Sequence, residues 1–451
     1  MEMMADDPQV EKRAIRKITL RLVPFFIVCY FFALLDRFNV GVAALQMNKD
    51  VGLSNAAFGF GSSLFFVAYY LFEIPSNIVL QKVGARIWIA RIMVTWGLAA
   101  AGCALVQGPT SFGIARFLVG AAEAGFFPGV ILYLTFWVPA AYRARIIAWF
   151  MVAIPAAGFF GSQLSGWLLS LDDLYGLRGW HWLFLVEGFP SVILGLICFA
   201  VLQNHPDTAK WLSKEEKLWL TARLAREREA ARRIGEITMW QLARNKYVWG
   251  LILPCAAALA AGSVLGVWQP KLIKSYGFTD LETGMLNSIP YGVAAILMII
   301  WGRSSDVMHE RRWHTAIPLL MIAIGFGAPA WVTGLPATLA LMSCVLIGAF
   351  SFKAPFWAMA LEFLSPRVLA VAVAGINAIG TLIGGLMINV YGEVLERTGS
   401  NSMAMLPTAF LGFVSAVVVL TMSRRRPIPA DELGGAPEIE AFNPREGELT
   451  N

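Results

Sequence analysis

Apolar stretches about as long as a bilayer is thick recur along the whole chain. They cover residues 18–47, 55–80, 85–107, 110–138, 144–171, 180–202, 246–273, 282–307, 313–333, 336–363, 367–395 and 403–422. A spanning helix needs ~20 mostly apolar residues, so the pattern predicts twelve transmembrane helices. One long polar interruption, at about 203–245, divides them six and six. The organisation expected is a cytoplasmic N-terminal segment (1–17), a first six-helix bundle (18–202), a cytoplasmic linker (203–245), a second six-helix bundle (246–423) and a cytoplasmic tail (424–451). Within the linker, residues 209–233 alternate acid and base (Glu215, Glu216, Lys217, Arg223, Arg226, Glu227, Arg228, Glu229). That alternation suits a solvated, salt-bridged helix. The tail, with Pro427, Pro429, Gly434 and Gly435, reads as disordered.

Composition sharpens the class. Of the 451 residues, 57% are hydrophobic and 15% charged, against ~45–50% and ~25% in soluble domains. The expected fold is an all-α polytopic membrane protein; a fibre, a small disulfide scaffold and an ordinary cytosolic enzyme are excluded. The formal charge is +6, and its placement matters more than its size. With the N-terminus inside, inner loops carry Lys12, Arg13, Arg16, Lys17, Lys82, Arg86, Arg143, Arg145, the linker bases, Arg303, Arg311, Arg312, Arg367 and Arg424 to Arg426. Outer loops carry only Lys49, Arg178, Lys271, Lys274 and Arg397. This asymmetry places both termini and the linker in the cytoplasm, in a multi-pass protein of the inner (cytoplasmic) membrane. The polar start and the long run from Ile18 predict that the first span is its own uncleaved signal.

Catalytic chemistry finds little support. The cysteines (Cys29, Cys103, Cys198, Cys255, Cys344) lie in apolar runs without pairing. The histidines (His181, His205, His309, His314) lack ligand spacing. No phosphate-binding glycine loop occurs, so active transport would draw on an ion gradient. No enzyme activity, metal, cofactor or nucleic-acid partner is expected.

Charge inside the apolar runs is the positive signal. Each such group costs ~2.5–3.5 kcal/mol near the bilayer centre, so it faces a cavity or a partner. Asp36 and Arg37 lie in the first run. Adjacent helical residues point ~100° apart, so each can serve a different partner. Arg116 and Glu123 lie two turns apart on one face of the fourth run; a cation and a protonatable group on one wall suit an anion and a proton. Lys353 sits beside Pro355, Phe356 and Trp357 in the tenth, and broken helices often line sites. Glu73, late in the second run, suits a gate. Tyr69, Asn287, Tyr291, Asn377 and Gln163 can meet a ligand or hydrogen-bond between helices.

Several of these residues also fall into recognisable motifs. Gly302-Arg-Ser-Ser-Asp306-Val-Met-His-Glu-Arg311-Arg312 resembles the G-x-x-x-D-x-x-x-x-R-[RK] loop of the major facilitator superfamily. The first-half counterpart keeps Gly84 and Arg86, but Asn77 and Gln81 leave it without the usual acid. That departure resembles the anion:cation symporter branch. So do Leu-Asp36-Arg37-Phe-Asn39-Val-Gly, Arg116-x6-Glu123-Ala-Gly-Phe-Phe-Pro128-Gly, Gly179-Trp180-His-Trp182-Leu-Phe-Leu-Val-Glu187-Gly188 and Pro206-x3-Lys210-Trp211-Leu-Ser-x-Glu215-Glu216. The likeness covers nearly the whole chain and is nearest the bacterial tartrate-type and aromatic-acid permeases.

The resemblance implies two six-helix bundles that rock around a central site, and proton-coupled uptake of a small organic carboxylate: a tartrate-like dicarboxylate, a sugar acid or an aromatic acid. It implies that Arg37 holds the substrate carboxylate, that Asp36 and Glu123 carry protons, and that Arg116 tunes them. Tyr69 and Asn377 match substrate-contacting positions. Lys353 would meet a second acidic group, and Trp357 is a further candidate. Gly84, Arg86, Gly302, Asp306, Arg311 and Arg312 would form the gating loops. The expected partners are the organic anion, protons and the bilayer, and the expected state is a monomer. An anion exchanger and a Na⁺-coupled carboxylate transporter are the competing functions.

Overall fold

The protein is described from a computed structural model over residues 7–232, 246–363 and 366–422. The tail 424–451 and the linker's end, 233–245, lie outside the described residues. Within them, twelve helices are long and apolar enough to span a membrane: Pro8–Asp50, Asn55–Val83, Ala85–Leu105, Pro109–Trp137, Ala140–Leu169, Gly179–Val201, Val248–Lys274, Asp280–Met308, Arg312–Ala330, Leu335–Ala360, Ala372–Thr398 and Asn401–Thr421. The twelve expected apolar runs are all present as helices, and we number them as spans one to twelve. The first begins at Pro8, well ahead of its apolar run. Asp7 caps it through Gln9 N (2.8 Å) and Pro8 fits the first turn. Val10 and Ala14 are buried, so this polar-looking segment packs as helix.

A linker helix, Lys214–Arg232, lies against span one. Lys17 pairs with Glu216 at 2.8 Å, and Arg223 with Glu227 one turn away at 3.5 Å. Partial burial opposes ionisation of Glu216, yet Lys17, the Ser213 backbone N–H and Arg13 hold its carboxyl below the usual range.

Two spans are broken where charge sits. Span four is helical through Glu123 and resumes at Phe126. Gly125 turns the chain with φ +90°, and a Cβ there would reach Ser76 Oγ at 2.3 Å. Span ten stops at Ser351 and resumes at Lys353; Pro355 has no N–H to give Ser351. Span five contains a π-helical turn, Ala157–Gly161.

The two bundles meet tightly at the end away from the linker. Glycines let the backbones touch. A Cβ on Gly41 would come within 2.6 Å of the Gly266 and Val267 carbonyl oxygens, and one on Gly166 within 2.8 Å of Gly284 Cα. Polar bonds cross the same seam. Gln46 donates to Asp280 (2.8 Å), which also binds Lys274 at 2.6 Å. Glu396 accepts from Asn55 N (2.9 Å), and Lys271 donates to Asn55 Oδ1.

Candidate functional site

Between the bundles lies a cavity of about 120 Å³. Its wall includes Tyr30, Arg37 and Phe66 from the first bundle and Ser263, Phe350 and Lys353 from the second. Drug-sized pockets run ~300–1,000 Å³, so this one suits a small ligand. Two basic side chains stand on opposite walls, and no carboxylate is among the lining residues.

Arg37 is held from behind. Its Nη2 lies 2.5 Å from Glu123 Oε1 and its Nε 2.7 Å from the same oxygen. Its guanidinium sits 4.8 Å from the Tyr69 ring centroid and 5.4 Å from that of Phe65, favourable cation–π distances. Glu123 is fully buried, and its Oε2 has no hydrogen-bond partner among the described residues. The break at Ala124–Gly125 ends the helix at this carboxylate.

Asp36 serves different partners, as the angular offset predicts. It accepts from Trp96 Nε1 at 2.6 Å, and from Ser191 Oγ and Asn39 Nδ2 at 3.4 Å. It is buried inside the first bundle, not on the cavity. Arg116 is buried too; its guanidinium lies 5.0 Å from the Phe65 centroid, and its Nε has no partner among the described residues.

Lys353 lines the opposite wall, 5.6 Å from the Phe350 ring centroid. Three expected substrate contacts, Trp357, Asn377 and Tyr69, do not line the cavity. Trp357 packs against Phe356 at 5.0 Å, and Asn377 is half-buried. Tyr69 acts behind Arg37 rather than on the wall. Asn287 donates to Ser162 Oγ (2.7 Å) and Gln163 to Ser288 Oγ (3.3 Å), so these are interhelical bonds.

Sequence reasoning gave no role to Glu187, quoted only within a motif. It is fully buried in span six, where Oε1 accepts from Ser165 Oγ at 2.7 Å and Oε2 has no partner among the described residues. An acid inside an apolar run was the available signal.

The two loop motifs hold their arginines differently. Arg311 binds Asp306 at 2.7 Å and Ser305 Oγ at 2.9 Å, while Gly302 lies within span eight and Arg312 opens span nine. In the first half, Arg86 donates to the Phe199 carbonyl, and its N–H to Asn204 Oδ1 at 3.0 Å. A main-chain oxygen thus stands in for the missing acid. Gly84 makes the turn at φ +94°, with Asn204 2.8 Å from where a Cβ would be.

A family model described as Major Facilitator Superfamily matches residues 26–388. A provisionally named tartrate transporter from Agrobacterium vitis is 44% identical over 418 residues, covering 93% of this chain and 96% of that protein. NicT of Pseudomonas putida, provisionally named a metabolite transport protein, is 40% identical over 412 residues, covering 90% and 93%. Among solved structures, a bacterial homologue of the human lysosomal transporter Spinster, inward-facing and occupied, aligns with a TM-score of 0.71 at 17% identity, covering 88% of this chain and 95% of that one. At that identity the likeness shows the fold alone.

Proposed function

Because this chain belongs to the Major Facilitator Superfamily, and is therefore a membrane transport protein rather than an enzyme, we propose that it imports a small organic carboxylate together with protons. The observation that carries this reading is the pair of cations, Arg37 and Lys353, facing one small cavity between the bundles. Two cations suit a dicarboxylate, and the A. vitis relative is named for tartrate. No cofactor beyond the coupling proton is required. The basic loops support the inner membrane, with both termini in the cytoplasm, and the central cavity needs only a monomer.

Coupling rests on competition for Arg37. In the empty site, Glu123 neutralises it through one oxygen. A proton on Glu123 releases the guanidinium, which then takes the incoming carboxylate through two parallel hydrogen bonds. Proton and anion thereby favour each other's binding, and such coupling is reciprocal. Lys353 meets the second acidic group. Tyr69 and Phe65 keep the guanidinium aimed across the cavity.

Closure then follows charge. An uncompensated buried charge costs several kcal/mol, so the neutralised, loaded cavity is the one that passes between states. With the linker inside, the sealed seam at Gly41–Gly266 and Gly166–Gly284 faces out, and the described state is closed to the exterior. Where protons outnumber substrate charges, the potential adds ~2.3 kcal/mol per charge per 100 mV.

The test is uptake by purified protein in liposomes under an imposed acid-outside gradient. Labelled tartrate, a sugar acid, phthalate and hydroxyphenylacetate are compared. We expect one to accumulate, and a protonophore to abolish the accumulation. Exchange of preloaded anion without gradient-driven accumulation would overturn proton coupling and favour an exchanger; accumulation only with Na⁺ would do so in favour of sodium.

A further inference from the structure

A second cluster of cations lies far from the transport cavity, at the linker end of the first bundle. Arg21 of span one, Arg86 at the start of span three and Lys210 of the linker line one open cleft of about 530 Å³, together with Phe199, Gln203 and Trp211. No carboxylate lines it. Three cations from separate parts of the chain therefore converge without a neutralising partner in the cleft.

Two of the three are fixed in place. The Arg21 guanidinium sits 5.4 Å from the Trp211 ring centroid, and Arg86 is tied to the Phe199 carbonyl. Trp211 is itself stacked on Trp137 at 5.4 Å, and its indole N–H has no partner among the described residues. Lys210 is exposed, with no hydrogen bond or ion pair among the described residues.

The cleft also has an apolar margin. Leu20, Leu196 and Phe199 are 64%, 59% and 41% exposed on the neighbouring faces of spans one and six. A ligand seated here meets cations at one end and hydrocarbon-facing surface at the other.

We propose that this cleft binds the phosphate headgroup of an anionic phospholipid from the cytoplasmic leaflet. Basic pockets between spans on that side suit such headgroups, at ~1 kcal/mol per cation. Arg21 and Lys210 hold the phosphate, Arg86 adds charge from the rear wall, and the acyl chains lie along Leu196 and Phe199. The bound lipid bridges span one, span three and the linker, all attached to the first bundle, and leaves the transport cavity untouched.

The experiment uses full-length protein in detergent, titrated with phosphatidylglycerol or chain-matched phosphatidylcholine, with bound lipid counted by native mass spectrometry. We expect preferential retention of phosphatidylglycerol, and an affinity loss of about 30-fold in the Arg21→Gln/Lys210→Gln double variant. The charge-preserving Arg21→Lys/Lys210→Arg variant should retain most of the binding, which separates a lost site from a lost fold. Glycerol 3-phosphate at matched concentration should not displace the lipid. Equal retention of the two lipids, or no loss in the glutamine variant, overturns the proposal. Displacement by glycerol phosphate also overturns it, and assigns the cleft to soluble phosphates.

Discussion

Arg37 and Glu123 form a 2.5 Å ion pair that uses one carboxylate oxygen and leaves the other without a partner among the described residues. The pair joins the cavity wall to a fully buried acid at a helix break. It links the group that would hold substrate to a group that would hold a proton.

Glu123→Gln should therefore separate transport from coupling. The amide keeps the shape and a hydrogen-bond acceptor but cannot ionise. Proton-driven accumulation should be abolished, while anion exchange persists at a reduced rate. Uptake and counterflow in liposomes give the two readouts. Arg37→Ala should lose binding ~10-fold or more, since hydrogen bonds between charged groups contribute ~1.5–3 kcal/mol.

Lys353→Gln should change selectivity more than turnover. The variant keeps the first carboxylate contact and loses the second. Dicarboxylate affinity should fall ~10-fold or more, while a matched monocarboxylate is little affected. Competition of both against labelled substrate measures this directly. Unchanged dicarboxylate uptake would contradict a role for Lys353.

Gly166→Val should hold the seam apart. Its Cβ would lie 2.8 Å from Gly284 Cα and 3.0 Å from the Asp280 carbonyl. Overpacking costs ~1–3 kcal/mol, which shifts a closed:open ratio ~5- to 150-fold. Binding from outside should survive while net uptake falls by that factor.

Glu310 supplies a pH test away from the cavity. It caps span nine, accepting from Trp313 N at 2.8 Å and His314 N at 3.0 Å, with the His314 ring 3.0 Å away. Partial burial opposes ionisation, but these donors outweigh it and hold the carboxyl below its usual range. Its stabilisation is therefore present above about pH 4.3 and is lost as pH falls through the lowered value. Glu310→Gln should cost ~1 kcal/mol at pH 7. The difference in melting temperature from the parent should vanish in acid.

The fold was legible because spanning length is a property of local sequence. The separation of Asp36 from Arg37 was legible for the same reason, as helix geometry sets adjacent side chains ~100° apart. Partners across helices were not. Spacing put Arg116 and Glu123 on one face, yet the ion pair joins Glu123 to Arg37, eighty-six positions away. Nor does spacing say which polar groups reach the cavity: Lys353 does, whereas Asn287 and Gln163 bind neighbouring helices. The first-half loop motif shows a further limit. Its arginine is held by the Phe199 carbonyl, and a main-chain acceptor leaves no mark in side-chain composition.

The central claim is that the anion and the Glu123 carboxylate compete for Arg37, so that anion and proton bind together, and proton uptake by the purified protein tests it most directly. In weak buffer near neutral pH, a fully ionised dicarboxylate that the protein transports is added and free protons are followed with an indicator dye. The account predicts that protons leave solution as anion binds, and that this uptake is absent in Glu123→Gln. Anion binding without proton uptake in the parent protein, or equal uptake in Glu123→Gln, would contradict it.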